Sequence, residues 1–153
     1  MPLNVFSLMK PLIFLAYLLG GSLPALAEMP ATDLPFSEFF RQPLGPRGLE
    51  PTARLMSLAG KRVRLTGYLV HAENAGPGMA LLVPQPVLMG DGDEGLADDL
   101  PASTVTVLGD VPVNWPPFVS LRLSGTLEIA PRQEADGRIS YIRLLLDKAA
   151  AKP

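Results

Sequence analysis

The densest concentration of reactive groups in this sequence is Asp91-Gly-Asp-Glu-Gly-Leu-Ala-Asp98-Asp99, five carboxylates within nine residues. Hard oxygen ligands so closely spaced suit calcium, and Asp91, Asp93, Glu94 and Asp98 are the candidate ligands. The spacing departs from the helix–loop–helix calcium template. Gly95 stands where that template needs an oxygen, Leu96 where it needs glycine, and no glutamate closes the loop at its twelfth position. The mismatch favours a solvated acidic loop, with a cation-binding module as the alternative.

His71 is the single histidine and there is no cysteine. One histidine cannot build a structural zinc site, and as a general base it would need a nucleophile or an orienting carboxylate that the sequence does not reveal. No serine lies in a Gly-x-Ser-x-Gly elbow. The glycine-rich stretches lack the lysine and the strand–loop–helix setting that cradle phosphate. No catalytic constellation is expected, and no cofactor.

The candidates for ligand binding are aromatic and basic. Trp115 and Phe118 sit in DVPVNWPPF, where prolines stiffen the loop and lower the entropic cost of presenting a ring. Arg62, Arg64, Arg122 and Arg143, with Tyr68 and Tyr141, fall on the polar faces of alternating segments and would form a basic stripe if the first and fourth strands were neighbours. From these, Trp115, Phe118, Tyr68, Arg64 and Arg122 are the expected ligand contacts. The competing expectation is a charged barrel exterior offset by Glu128 and Asp147, with Trp115 folded back over the core.

These residues need positioning, and the pattern around them is that of a sheet. In KRVRLTGYLV, Val63, Leu65, Gly67 and Leu69 share one face and Arg62, Arg64, Thr66 and Tyr68 the other. Residues 119–129 alternate without a break, odd positions apolar or glycine and even positions polar. Such a strand has one wet and one dry face, as in an antiparallel sheet or barrel wall. Further strands are expected at Met79–Val83, Thr104–Leu108 and Ile139–Asp147. Asp136-Gly137 marks the turn of a hairpin joining the last two, and Ala72–Gly78 joins the first two. A two-turn helix is expected over Pro51–Ala59 and a single helical turn over Gly95–Leu100. The three prolines of residues 110–117 exclude both helix and central strand there. Gly67 and Gly125 are expected where strands bend to close a barrel.

The opening L-x-G-K-R-V-R-L-x-G-Y-L-V, Leu58 to Val70, and the block L-R-L-S-G-T-L-E, Leu121 to Glu128, resemble those of small, uncharacterised bacterial exported proteins with OB-fold-like barrels. The resemblance covers roughly residues 55–147 and implies no reaction. A segment bearing Cys and His in some members corresponds here to PQPVLMGDGDEGLADD, which has neither, so no metal or redox role carries over. The expected fold is therefore mainly β: a small five-stranded antiparallel OB-like barrel with a short N-terminal helix and an N-terminal arm.

Residues 1–27 read as a cleavable signal peptide. Lys10 precedes the apolar run Leu12–Leu19, and Ala25-Leu26-Ala27 supplies the small-x-small cleavage pattern. The run is well short of the ~20 residues that span a bilayer. The initiator is either Met1 or Met9. Lipid anchoring is excluded for want of a cysteine. Removing residues 1–27, with their one basic and no acidic residue, leaves 126 residues and a formal charge of −3. That balance argues against nucleic acid as a partner. The remaining organisation is an arm over 28–50, a barrel domain over 51–148 and a tail over 149–153. The expected role is a non-enzymatic, exported binding or accessory domain, periplasmic or secreted, whose partner is a protein or envelope component met through loops 72–78, 110–118 and 130–138.

Overall fold

A computed structural model describes residues 30–71, 75–87 and 100–148. The expected signal peptide, the acidic loop, all but the last residue of the turn expected over Gly95–Leu100, and the tail over 149–153 lie outside the described residues.

Among the described residues six strands and one short α-helix follow in chain order: β1 (Thr32–Asp33), α1 (Ala53–Ser57), β2 (Arg62–Val70), β3 (Met79–Val83), β4 (Val105–Leu108), β5 (Ser120–Gln133) and β6 (Ile139–Leu146), with a 3-10 turn over Phe36–Glu38. β2 pairs with β3 on one side and β5 on the other, β3 with β4, β4 with β6, and β6 with β5. The ring β2-β3-β4-β6-β5 closes on itself as a barrel, as the alternation of β2 and β5 implies. Val63 and Leu65 on β2, and Leu121, Leu123 and Leu127 on β5, are buried in one apolar cluster with Ala80, Leu82, Val105, Val107 and Leu144.

Two details differ from the sequence expectation. The ring is mixed, because β4 and β6 run parallel, with Thr106 opposite Arg143 and Leu108 opposite Leu145. The long return from β4 to β5, followed by a tight hairpin into β6, brings β6 back in the direction of β4. There is also a sixth strand. Thr32 and Asp33 of the arm pair in parallel with Val63 and Arg64, and Leu34 and Phe39 enter the core.

The glycines explain how the ring closes. A Cβ on Gly125 would lie 2.2 Å from the Leu145 carbonyl oxygen, and one on Gly67 would lie 2.6 Å from that of Val83. Only a residue without a side chain lets the strands approach so closely. α1 is shorter than expected. Thr52 caps it, its hydroxyl accepting from the Leu55 N–H at 3.1 Å, while Leu55 is fully buried. Pro51, placed inside the helix by the sequence pattern, instead forms a bridge with Phe40.

Candidate functional site

β5 runs four residues past the end of its alternation at Ile129, and this extension helps to build a large recess. Beyond Ile129 the ladder slips a register, so that Arg132 pairs with Ser140 and Gln133 with Ile139. Pro131 sits inside that irregularity, where a missing N–H costs no ladder bond. The hairpin then turns through Glu134–Arg138. The Glu134 N–H donates to the Arg138 carbonyl at 2.8 Å, and the Gly137 N–H donates to the Glu134 carbonyl at 3.0 Å, with Gly137 at φ 85°. That is a three-residue turn ending in a left-handed glycine, as the Asp136-Gly137 pair led one to expect.

The projecting hairpin, α1 and the entry to β4 enclose a groove of about 700 Å³ at the barrel mouth. Its volume falls in the range of roughly 300–1,000 Å³ usual for ligand clefts. Leu55, Leu81, Ile129 and Ile142 form apolar parts of its wall. Leu49, Met56, Ile139 and Tyr141 border it while 48%, 50%, 52% and 66% exposed, half of the eight large apolar side chains that are exposed among the described residues. Soluble surfaces rarely gather such side chains in one place without using them.

Charge at the groove is confined to the hairpin and is internally matched. Asp136 accepts from the Arg138 guanidinium at 2.7 Å and from the Arg138 backbone N–H at 3.1 Å. Burial pushes the Asp136 carboxyl up, but these hydrogen bonds and the Arg138 charge outweigh it and hold the group below its ordinary value. Glu134 accepts from the Ser140 hydroxyl and from Arg143, the latter at 3.5 Å. Arg143 also donates to Glu128. Burial would lower the Arg143 pKa, yet the Glu128 bond and charge, then those of Glu134, hold it above its ordinary value. Ser140 and Glu134 do not make a nucleophile and base, because the carboxylate oxygen is shared with Arg143 and no third group completes the relay.

The residues singled out from sequence are dispersed. Tyr68 and Phe118 do meet, in a second, smaller cleft of about 200 Å³ that also includes His71. Phe118 is 56% exposed and has a positive φ of 63°, a conformation that costs a bulky side chain energy. Trp115 folds back instead. Its ring packs against the core and its Nε1–H donates to the Val119 carbonyl at 2.7 Å.

β2 and β5 are neighbours, with Thr66 opposite Arg122 and Arg64 opposite Ser124, so the arginines do line one outer face. That face is largely neutralised: Arg62 is bound to Asp147 at 2.6 Å and Arg64 to Asp33 at 3.3 Å. Arg143 lies around the ring on β6, engaged with its two glutamates. Asp91, Asp93, Glu94 and Asp98 fall outside the described residues. Among those described, no group of three or more His, Cys, Asp or Glu is placed to hold a metal ion.

The groove itself was missed from sequence. One signal for it exists in ISYIRLLL, residues 139–146, where apolar side chains occupy both parities instead of one.

Comparison with known proteins bears on the fold. No family model and no curated protein matches the chain. Among solved structures, a DUF3299 family protein from Pseudomonas aeruginosa PAO1 is similar at a TM-score of 0.51 and 16% identity, over 78% of this chain and 94% of that one. An aspartyl-tRNA synthetase from Leishmania major Friedlin aligns at a TM-score of 0.38 and 15% identity, over 81% of this chain and 21% of that one, too slight a likeness to support any argument. The bacterial match, an uncharacterised family, extends the barrel fold to a second protein and assigns no activity.

Proposed function

We propose that this chain is an exported, non-enzymatic binding domain of the bacterial envelope, built on an OB-type barrel, and that the groove at the barrel mouth is its ligand site. The single observation that carries the reading is the gathering of exposed Leu49, Met56, Ile139 and Tyr141 around a 700 Å³ apolar recess. The OB assignment rests on the strand order β2-β3-β4-β6-β5 closing through β2 and β5. In barrels of that type ligands meet the second and third ring strands and the loop of the last hairpin. The same parts border the groove here. Export, to the periplasm or beyond, rests on the reading of residues 1–27.

Chemistry of the ligand follows from the lining. The hairpin charges satisfy one another, the mature chain is acidic, and the remaining wall is apolar. An apolar protein or peptide surface fits such a wall, and a polyanion does not. Site-specific photo-crosslinking in the native envelope tests this. A photoreactive phenylalanine analogue replacing Tyr141 should give a discrete adduct, and one replacing Val113, which is 82% exposed and does not line the groove, should not. Equal labelling from both positions, or from neither, would remove the groove from the account. Mass analysis of the exported chain should show it beginning at Glu28.

A further inference from the structure

β6 has an unused edge. Its parallel ladder with β4 begins at Thr106 opposite Arg143, yet β6 itself begins four residues earlier, at Ile139. In that register Val105 lies beside Ile142, and residues 102–104 would lie beside Ile139–Tyr141. They do not pair, because the chain peels away through a turn: the Thr104 N–H and hydroxyl both donate to the Pro101 carbonyl, at 2.8 and 2.6 Å. Among the described residues no strand pairs with this stretch of β6, which leaves a slot about 10 Å long by the usual rise of ~3.3 Å per residue. All four of Ile139, Ser140, Tyr141 and Ile142 line the groove. Successive side chains of a strand point to opposite faces, so a cavity that touches four in a row lies along the strand's edge.

We propose that this edge accepts an extended peptide segment of a partner protein, which adds as a strand beside Ile139–Tyr141 in continuation of β4. The inference rests on the groove being the ligand site and names what occupies it. Three observations carry it.

First, Ile139–Ile142 contain neither charge nor proline, the devices by which sheets guard an open edge. The other open edge of the same hairpin, β5 beyond Leu127, has all of them in Glu128, Pro131 and Arg132. One edge is protected and the other is not. Second, Thr106 borders the groove at the head of the slot, only 7% exposed, and its hydroxyl has no hydrogen-bond partner among the described residues. That oxygen keeps contact with solvent, and a peptide group entering the slot would meet it there as a ready hydrogen-bond partner. Third, the hairpin charges are already matched, Asp136 with Arg138 at 2.6 Å and Glu134 with Arg143. A charged ligand side chain would find no counter-charge, so the peptide is uncharged over the contact and apolar at alternate positions, where it faces Leu55, Leu81 and Ile142.

The test uses the processed full chain and a displayed library of random peptides of about ten residues. Selection should enrich uncharged sequences alternating apolar and polar residues. Methylating the backbone nitrogens of the best binder one at a time should weaken binding about tenfold or more at every second residue and leave the residues between almost unaffected. Thr106→Val, which keeps the shape and removes the hydroxyl, should weaken the same peptide several-fold.

If methylation is tolerated everywhere while crosslinking from position 141 persists, strand addition is wrong and the groove reads side chains alone. If no peptide is selected, either because this chain covers its own edge or because a second copy does, the partner strand is equally refuted; a concentration-dependent dimer identifies the second copy. Loss of the crosslink as well would overturn the groove reading with it.

Discussion

Gly125 stands opposite Val63 on one neighbouring strand and Leu146 on the other, where the pairing of β5 with β6 begins and its pairing with β2 nears its end. A methyl group there would meet the Leu145 carbonyl at 2.2 Å, a contact that only movement of the β6 backbone could relieve. Gly125→Ala should therefore lower stability by at least the ~1–3 kcal/mol typical of overpacking, read from urea unfolding. Gly76→Ala, which meets nothing within 4 Å and needs no positive φ, should leave stability almost unchanged. Asp136 offers a second test at this scale. Its folded-state pKa is depressed, so it stabilises the fold above its ordinary 3.8, and the contribution is lost as the pH falls through the lower folded value. Asp136→Asn should lower the melting temperature at neutral pH, and the gap to the parent should close once the pH drops below that range. A gap independent of pH would mean that the carboxylate charge plays no part in the hairpin.

Elements differ in how far their own residues specify them. β2 and β5 are legible because residues 62–67 and 120–127 alternate and bury one face there, so local pattern and final environment agree. β3 is buried on both faces, which its unbroken MALLV states without saying what covers the outer one. The hairpin turn follows from Asp136-Gly137. α1 is set by more than periodicity. The Thr52 hydroxyl accepts from the Leu55 N–H and donates to the Glu38 carbonyl, tying the helix start to the arm. Thr52→Ala should cost about 1 kcal/mol for the cap alone, and more to the extent that the arm link is lost with it. Unfolding measured by denaturant gives the figure, and a neutral result would show that Leu55 and Phe39 hold arm and helix together without it.

On the scale of the molecule, what the sequence conceals is what depends on pairing between distant segments. The parallel contact of β4 with β6 closes the ring, yet neither TVTVL nor ISYIRLLL names its partner. The arm was expected to be anchored by Phe39 and Phe40. That Leu34 is also buried, and that Thr32–Asp33 add a strand, is invisible in a stretch rich in proline. Of the aromatic and basic residues singled out in the sequence, Trp115 closes over the core and Arg64 answers Asp33, while Phe118 stays exposed at a cleft with Tyr68. The groove was hidden for a different reason. It arises where pairing stops, at the turn that takes residues 101–104 away from β6, and an unmade ladder leaves no periodic trace.

Residue-resolved amide hydrogen exchange on the processed, ligand-free chain examines that gap most directly. Amides of Arg143–Leu145, held between β4 and β5, should exchange slowly throughout. Within Ile139–Tyr141, the amides bonded to β5 should be protected and the alternate ones, which face the slot, should exchange much faster. Uniform slow exchange from Ile139 to Leu145 would mean that the edge is already occupied and the mouth of the barrel is closed.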